Sequence, residues 1–280
     1  MEYYHMTKDK YIRGILKNGL QPKNGEQSKS IGDEKEVVFY SQGKEGAIVM
    51  YLSFEKMYED LKGQRGDNVL SRYEQYLAGE ITLSDSDLQN LEKQIKEIQE
   101  IRATKEFSEY YEDGLYLSIQ DLEVEDIKDK NFNFANSWVT KPISPQQLQV
   151  MALRNKENGQ LTTSKFDFVK YMMSEITPET IESLGINDAL VEYIKKYYKE
   201  HAVEIADLGN NYEAETLSME EYAHRLEEQH SEQGIEELSG QALGKNLLQQ
   251  IKNTKKIEAT AKQLSQDFDA ATIERSALEW

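Results

Sequence analysis

Chain breakers divide this sequence unevenly. All four prolines, Pro22, Pro142, Pro145 and Pro178, fall in the first two-thirds of the 280 residues, and the clearest β-branched and aromatic runs fall with them. After Pro178 the chain reads as polar helices with few interruptions. Strand-like runs alternating with helical spans, followed by helices alone, predict an α+β fold with a boundary near residues 155–178.

Within the first part, Glu2 to Met6 is a short aromatic-rich run that reads as a strand. Thr7 stands where an N-cap is expected, and Tyr11, Ile12, Ile15 and Leu16 follow at helical spacing. Asn18-Gly19 should end that helix, because glycine takes the left-handed position after a last turn without strain. A polar loop from Gln21 to Lys35 leads to Val37-Val38-Phe39-Tyr40, a second strand, and Glu45 to Leu61 reads as an apolar helix. A long helix is expected from Leu83 to about Tyr111, with Leu88, Leu91, Ile95 and Ile98 on one stripe. That stripe spans too few heptads for a sustained coiled coil, so it is expected to pack on its own domain. Leu115–Ile119, Ser137–Thr140 and Leu148–Arg154 are strand-like, the last running to a turn at Asn158-Gly159. Helices are expected near 163–175, 187–200, 218–229 and 241–270, with Leu190, Ile194 and Tyr197 as one buried stripe. The division drawn is 1–160, with a helical insertion at about 83–112, and a helical region at 161–280.

Composition excludes several classes of function. Zero cysteines remove disulfides, thiolate metal sites and cysteine nucleophiles together, and fit a reducing, cytoplasmic setting. No run of about 18 apolar residues is present, and the opening MEYYHMTKDK lacks the basic and apolar regions of a signal peptide. A formal net charge of −18 argues against nucleic acid as the main partner, since phosphate binding needs a basic surface. It suits instead a protein partner met through an acidic helical surface, although the patch at Glu227, Glu228, Glu232, Glu236 and Glu237 is most simply a solvated face.

The sequence has no Walker loop, no G-x-G-x-x-G, no G-x-S-x-G and no H-E-x-x-H. His224 and His230 are six apart and do not share a helix face, so no metal site is expected, and His201 lies with them in polar helical sequence. His5 differs, because it sits in an apolar strand directly before a helix. A histidine so placed either forms a buried contact with the backbone or meets a ligand's polar edge.

Tyr4-His5-Met6-Thr7, followed by Ile12, Ile15, Asn18-Gly19-Leu20 and Pro22, resembles the opening of ADP-ribosyltransferase-fold proteins. Bacterial ADP-ribosyltransferases and RNA 2′-phosphotransferases begin in this way. Val37-Val38-Phe39-Tyr40-Ser41 before a helix is similar to the second strand of that superfamily, and Asn136-Ser137-Trp138-Val139-Thr140 to a late strand. The resemblance covers about residues 2–155. It implies a split β-sheet core and NAD as substrate, with His5 and Thr7 at the ribose and nicotinamide half. Tyr40 and Ser41 are then expected to hold the nicotinamide ring and its amide. In active transferases a glutamate often opens the late strand and stabilises the cationic ribose as nicotinamide leaves. Asn136 or Ser137 stands in that catalytic place here, and neither can supply negative charge.

Two readings follow. One is an NAD-using ADP-ribosyl-transfer protein that cleaves the nicotinamide glycosidic bond, with Glu123 or Glu125 as acids that a nearby loop could bring to the site. The other is a catalytically inactive protein of the same fold that acts as an acidic interaction or inhibitor protein.

Overall fold

The computed structural model describes residues 2–23, 36–122 and 137–232. Seven strands form one antiparallel sheet: β1 (Tyr3–Lys8), β2 (Val38–Gln42), β3 (Gly114–Ile119), β4 (Ser137–Val139), β5 (Leu148–Asn155), β6 (Leu161–Thr162) and β7 (Tyr212–Ser218). Their order is β4-β2-β1-β3-β5, with β6 and β7 both on β5. The helices are α1 (Asp9–Asn18), α2 (Gly43–Lys62), α3 (Gln64–Leu77), α4 (Asp85–Ala103), α5 (Phe107–Tyr111), α6 (Lys165–Glu175), α7 (Pro178–Glu182), α8 (Asp188–Glu200), α9 (Ala202–Asn211) and α10 (Met219–Glu232).

The sheet is covered on both faces, and the period-two alternation of the strands divides the core into two clusters. Tyr3, Leu115, Leu117, Val150 and Ala152 meet Ile12, Ile15 and Leu16 of α1 and Tyr222 and Ala223 of α10. Tyr4, Tyr116, Met151 and Leu153 meet Ile48 and Leu52 of α2, Phe168 and Met172 of α6 and Ile194 of α8. Burial on both sides explains why β3 reads as a continuous apolar run rather than an alternating one: all six of its residues are buried.

Local chemistry departs from the sequence-based expectation in three places. Thr7 is not an N-cap. The strand continues through Lys8, which caps α1 with no side-chain hydrogen bond, because β3 pairs with β1 as far as Lys8↔Gly114. The helix expected over 83–111 breaks after Ala103, where Thr104 takes an extended conformation; Lys62 then donates to the Thr104 and Lys105 carbonyls and fixes the break. Of its stripe, Leu91 and Ile98 are buried and Leu88 and Ile95 half-buried; Ile98 joins the core cluster of Ile48 and Leu52, together with Ile101 outside the stripe. The span after residue 161, read as helical, also supplies β6 and β7. β7 pairs with β5 from Gln149↔Ser218 to Asn155↔Tyr212, and Arg154 donates to both carboxylate oxygens of Glu215 at 2.7 Å. Sheet and core therefore continue across residue 160. Val191, Ile194 and Tyr197 form the buried stripe of α8, Leu190 being only half-buried. The helix expected over 241–270 lies outside the described residues.

Gly114 marks the tightest approach in the sheet. A Cβ there would lie 1.9 Å from the Thr7 carbonyl oxygen, so Gly114→Ala must push β3 off β1. We expect a loss of about 3 kcal/mol in urea unfolding. Gly79→Ala has a positive φ of 73° but open space around it, and is expected to cost about 1 kcal/mol. Equal losses would contradict the close β1–β3 packing.

Candidate functional site at the parting of the sheet

β1 is the strand on which the sheet turns. It pairs with β3 along five positions, from Tyr4↔Ser118 to Lys8↔Gly114. With β2 it registers only two pairs, Tyr3↔Gln42 and Tyr4↔Ser41. Beyond Tyr4 the partner of β2 is β4, through Val38↔Val139, Phe39↔Trp138 and Tyr40↔Ser137. The sheet thus parts between β1 and β2 at His5.

A side chain takes over where the ladder stops. His5 Nδ1 lies 2.7 Å from the Phe39 carbonyl oxygen. A carbonyl only accepts, so Nδ1 carries the proton and donates, which leaves Nε2 of the neutral ring as an acceptor. Burial holds the pKa of His5 below its ordinary value, the Phe39 hydrogen bond opposing it as the smaller effect. The ring is therefore neutral at pH 7 and its tautomer is set by the backbone of the neighbouring strand. His5 has the backbone partner that one sequence reading expects, and part of its surface stays accessible.

The other residues singled out from sequence are more deeply set. Thr7 is 7% exposed, Tyr40 has no accessible surface and Ser41 is 1% exposed. Tyr40 stands edge-on to Tyr3, with ring centroids 5.3 Å apart, inside the cluster covered by α1. A ring so enclosed offers no free face to a nicotinamide. Ser41 Oγ lies 3.5 Å from Met50 Sδ of α2, and Ser41 pairs with Tyr4, whose ring belongs to the opposite cluster. The sheet thus separates Ser41 from Tyr40. Ser137 enters as the backbone partner of Tyr40. Asn136, Glu123 and Glu125 lie outside the described residues. Beside Tyr40, Phe39 is half-buried and stands edge-on to Trp138 at 6.3 Å.

Two ionisable groups carried no signal in the sequence. Lys165, at the start of α6, has no accessible surface. Its Nζ donates to the carbonyls of Tyr111 and Glu112 and lies 4.6 Å from the Tyr111 ring centroid, so it caps the end of α5. Burial lowers its pKa to about 8, against the pull of Asp113 and Asp9. Glu55 of α2 has one oxygen enclosed without a hydrogen-bond partner, and burial raises its pKa to about 7. Their roles depend on helix packing, which local sequence does not encode. No group of three or more His, Asp or Glu side chains is arranged to hold a metal ion among the described residues. No described helix is long and apolar enough to cross a membrane.

His5→Ala leaves the Phe39 carbonyl without its partner, and we expect it to cost about 1–3 kcal/mol at pH 7.5. The sign with pH follows from the lowered pKa. The unfolded chain takes up its proton near pH 6.5 while the folded ring does not, so the contribution is complete above that value and declines below it. Urea unfolding of both proteins from pH 5 to 8 should show the difference narrowing toward acid. A difference that grows toward acid would contradict a buried neutral ring.

No family model, curated protein or solved structure matches the chain.

Proposed function

We propose that the chain is an NAD-using ADP-ribosyl-transfer protein whose dinucleotide engages the parting of the sheet at His5. The observation that carries this reading is the neutral, tautomer-fixed imidazole at the point where β1 and β2 separate. A ribose hydroxyl is a donor that such an Nε2 can accept. The motif order of the resemblance places His5 and Thr7 at the same part of the ligand, which supports the reading independently of the geometry. In this reading Thr7, Tyr40 and Ser41, which are buried, shape the sheet around His5.

The transfer breaks the bond between ribose C1′ and the nicotinamide nitrogen. Nicotinamide leaves with the bonding electrons, and an acceptor nucleophile attacks the cationic C1′ and loses its proton. Only interactions stronger with that cation than with bound NAD accelerate the step. His5 as an uncharged acceptor orients the ribose and adds no repelling positive charge. A second reading, a catalytically inactive protein of the same fold acting as an acidic interaction or inhibitor protein, is favoured by the lack of an acid at Ser137, which stands opposite Tyr40.

Titration calorimetry with NAD tests the proposal. Binding is expected, with His5→Ala weakening it about tenfold, the equivalent of one hydrogen bond. Circular dichroism of the variant checks that it remains folded. Release of nicotinamide by the wild-type protein then separates transfer from binding alone. No heat at millimolar NAD would overturn the transfer reading and leave the interaction protein.

A further inference from the structure

The helical layer over β1 and β3 holds a carboxyl whose surroundings are incomplete. Glu55 lies on α2, and its Oε2 is enclosed with no hydrogen-bond partner. The groups that act on it come from each element around it. Tyr51 and Glu59 share its helix, Lys170 projects from α6, and Tyr193 and Tyr197 come from α8. The ring of Tyr197 lies against His201, where α8 meets α9, with centroids 4.1 Å apart and the planes tilted by 30°. Glu204 of α9 completes the set, since it acts on Tyr197 and lies 3.5 Å from His201 Nδ1.

The single lysine in this group is committed elsewhere. Lys170 Nζ is paired with Glu204, a carboxylate with about half of its side chain in solvent, while the Lys170 side chain is only 18% exposed. Water solvates Glu204 whether or not Lys170 attends it, so that pair adds little. An ionised Glu55 has less recourse, because the residue is half-buried with its Oε2 enclosed, and ionising it without a counter-charge carries a desolvation cost. Lys170 thus has two competing partners. The more exposed one holds it while the buried one is protonated.

We propose that Glu55 is a proton-operated joint in the helical layer: on losing its proton to solvent it draws Lys170 from Glu204, exchanging the α6–α9 tie for one between α6 and α2. Glu204 keeps His201 beside it. The tie that is released holds α9, which leads directly into β7 and so into the sheet edge.

The direction with pH follows from burial. The folded protein holds the Glu55 proton up to about pH 7, whereas the unfolded chain releases it near 4.5, so stability declines as pH rises through that interval. Urea unfolding of wild type, Glu55→Gln and Glu204→Gln, each from pH 5 to 8.5, tests the proposal. Stability measured relative to Glu55→Gln, a difference that cancels the opposite contribution of His5, should fall across that interval. Glu204→Gln frees Lys170 for Glu55 and should move that fall about one pH unit lower. No fall relative to Glu55→Gln overturns the assignment to Glu55. A fall that is not displaced in Glu204→Gln overturns the exchange of Lys170, and leaves a carboxyl that is merely buried.

Discussion

One hydrogen bond decides how this sheet is built. His5 Nδ1 on the Phe39 carbonyl replaces the backbone ladder that would otherwise join β1 to β2 beyond Tyr4. From there β1 continues with β3, and β2 continues with β4. Two half-sheets thus share one short seam and diverge from it. A side-chain bond in that place has a different consequence from a backbone bond: it fixes a ring, its tautomer and its charge at the point where the strands separate. An imidazole held neutral where two strands part is a group with directional chemistry still to use.

Around that seam the structure is conservative. Both faces of the sheet are covered, so each strand must satisfy its backbone within the sheet and present apolar side chains to both layers. Polar groups enter the interior under defined conditions. Lys165 finds the carbonyls at the end of α5 and two aromatic rings. The bidentate Arg154–Glu215 pair joins β5 to β7 at a partly exposed site. Glu55 differs because an enclosed oxygen lacks a hydrogen bond, and burial, helped by Glu59 and opposed by Lys170, keeps its proton to about pH 7. The parting at His5 and the joint at Glu55 lie in different layers and are governed by ionisations of opposite sense.

Much of the fold was legible in the sequence, for local reasons. The runs at 37–40, 115–119 and 148–154 became strands because β-branched and aromatic side chains suit a surface buried on both sides. Gly19 ended α1 with a positive φ of 68°, and its amide returns to the Ile15 carbonyl. β7 was not legible, since Tyr-Glu-Ala-Glu-Thr-Leu-Ser carries one buried residue, Leu217, and reads as helical; its strand conformation comes from seven pairings to β5, distant in sequence. The site was legible in the same partial way. His5 stood out because polar residues are rare in such a run, but its partner is a backbone carbonyl, and every residue has one. Tyr40 looked suited to stacking on a ring until the cover supplied by α1 enclosed it. Glu55 and Lys165 gave no sign, because three-dimensional burial, not residue type, makes them unusual.

The most direct test of the central claim is nitrogen-15 NMR of the His5 ring between pH 5 and 8. The account predicts a neutral ring with the proton on Nδ1 and a bare Nε2, which persists as pH falls through 6.5, the ordinary value for histidine. A ring that titrates at that ordinary value, or one that carries its proton on Nε2, would contradict it.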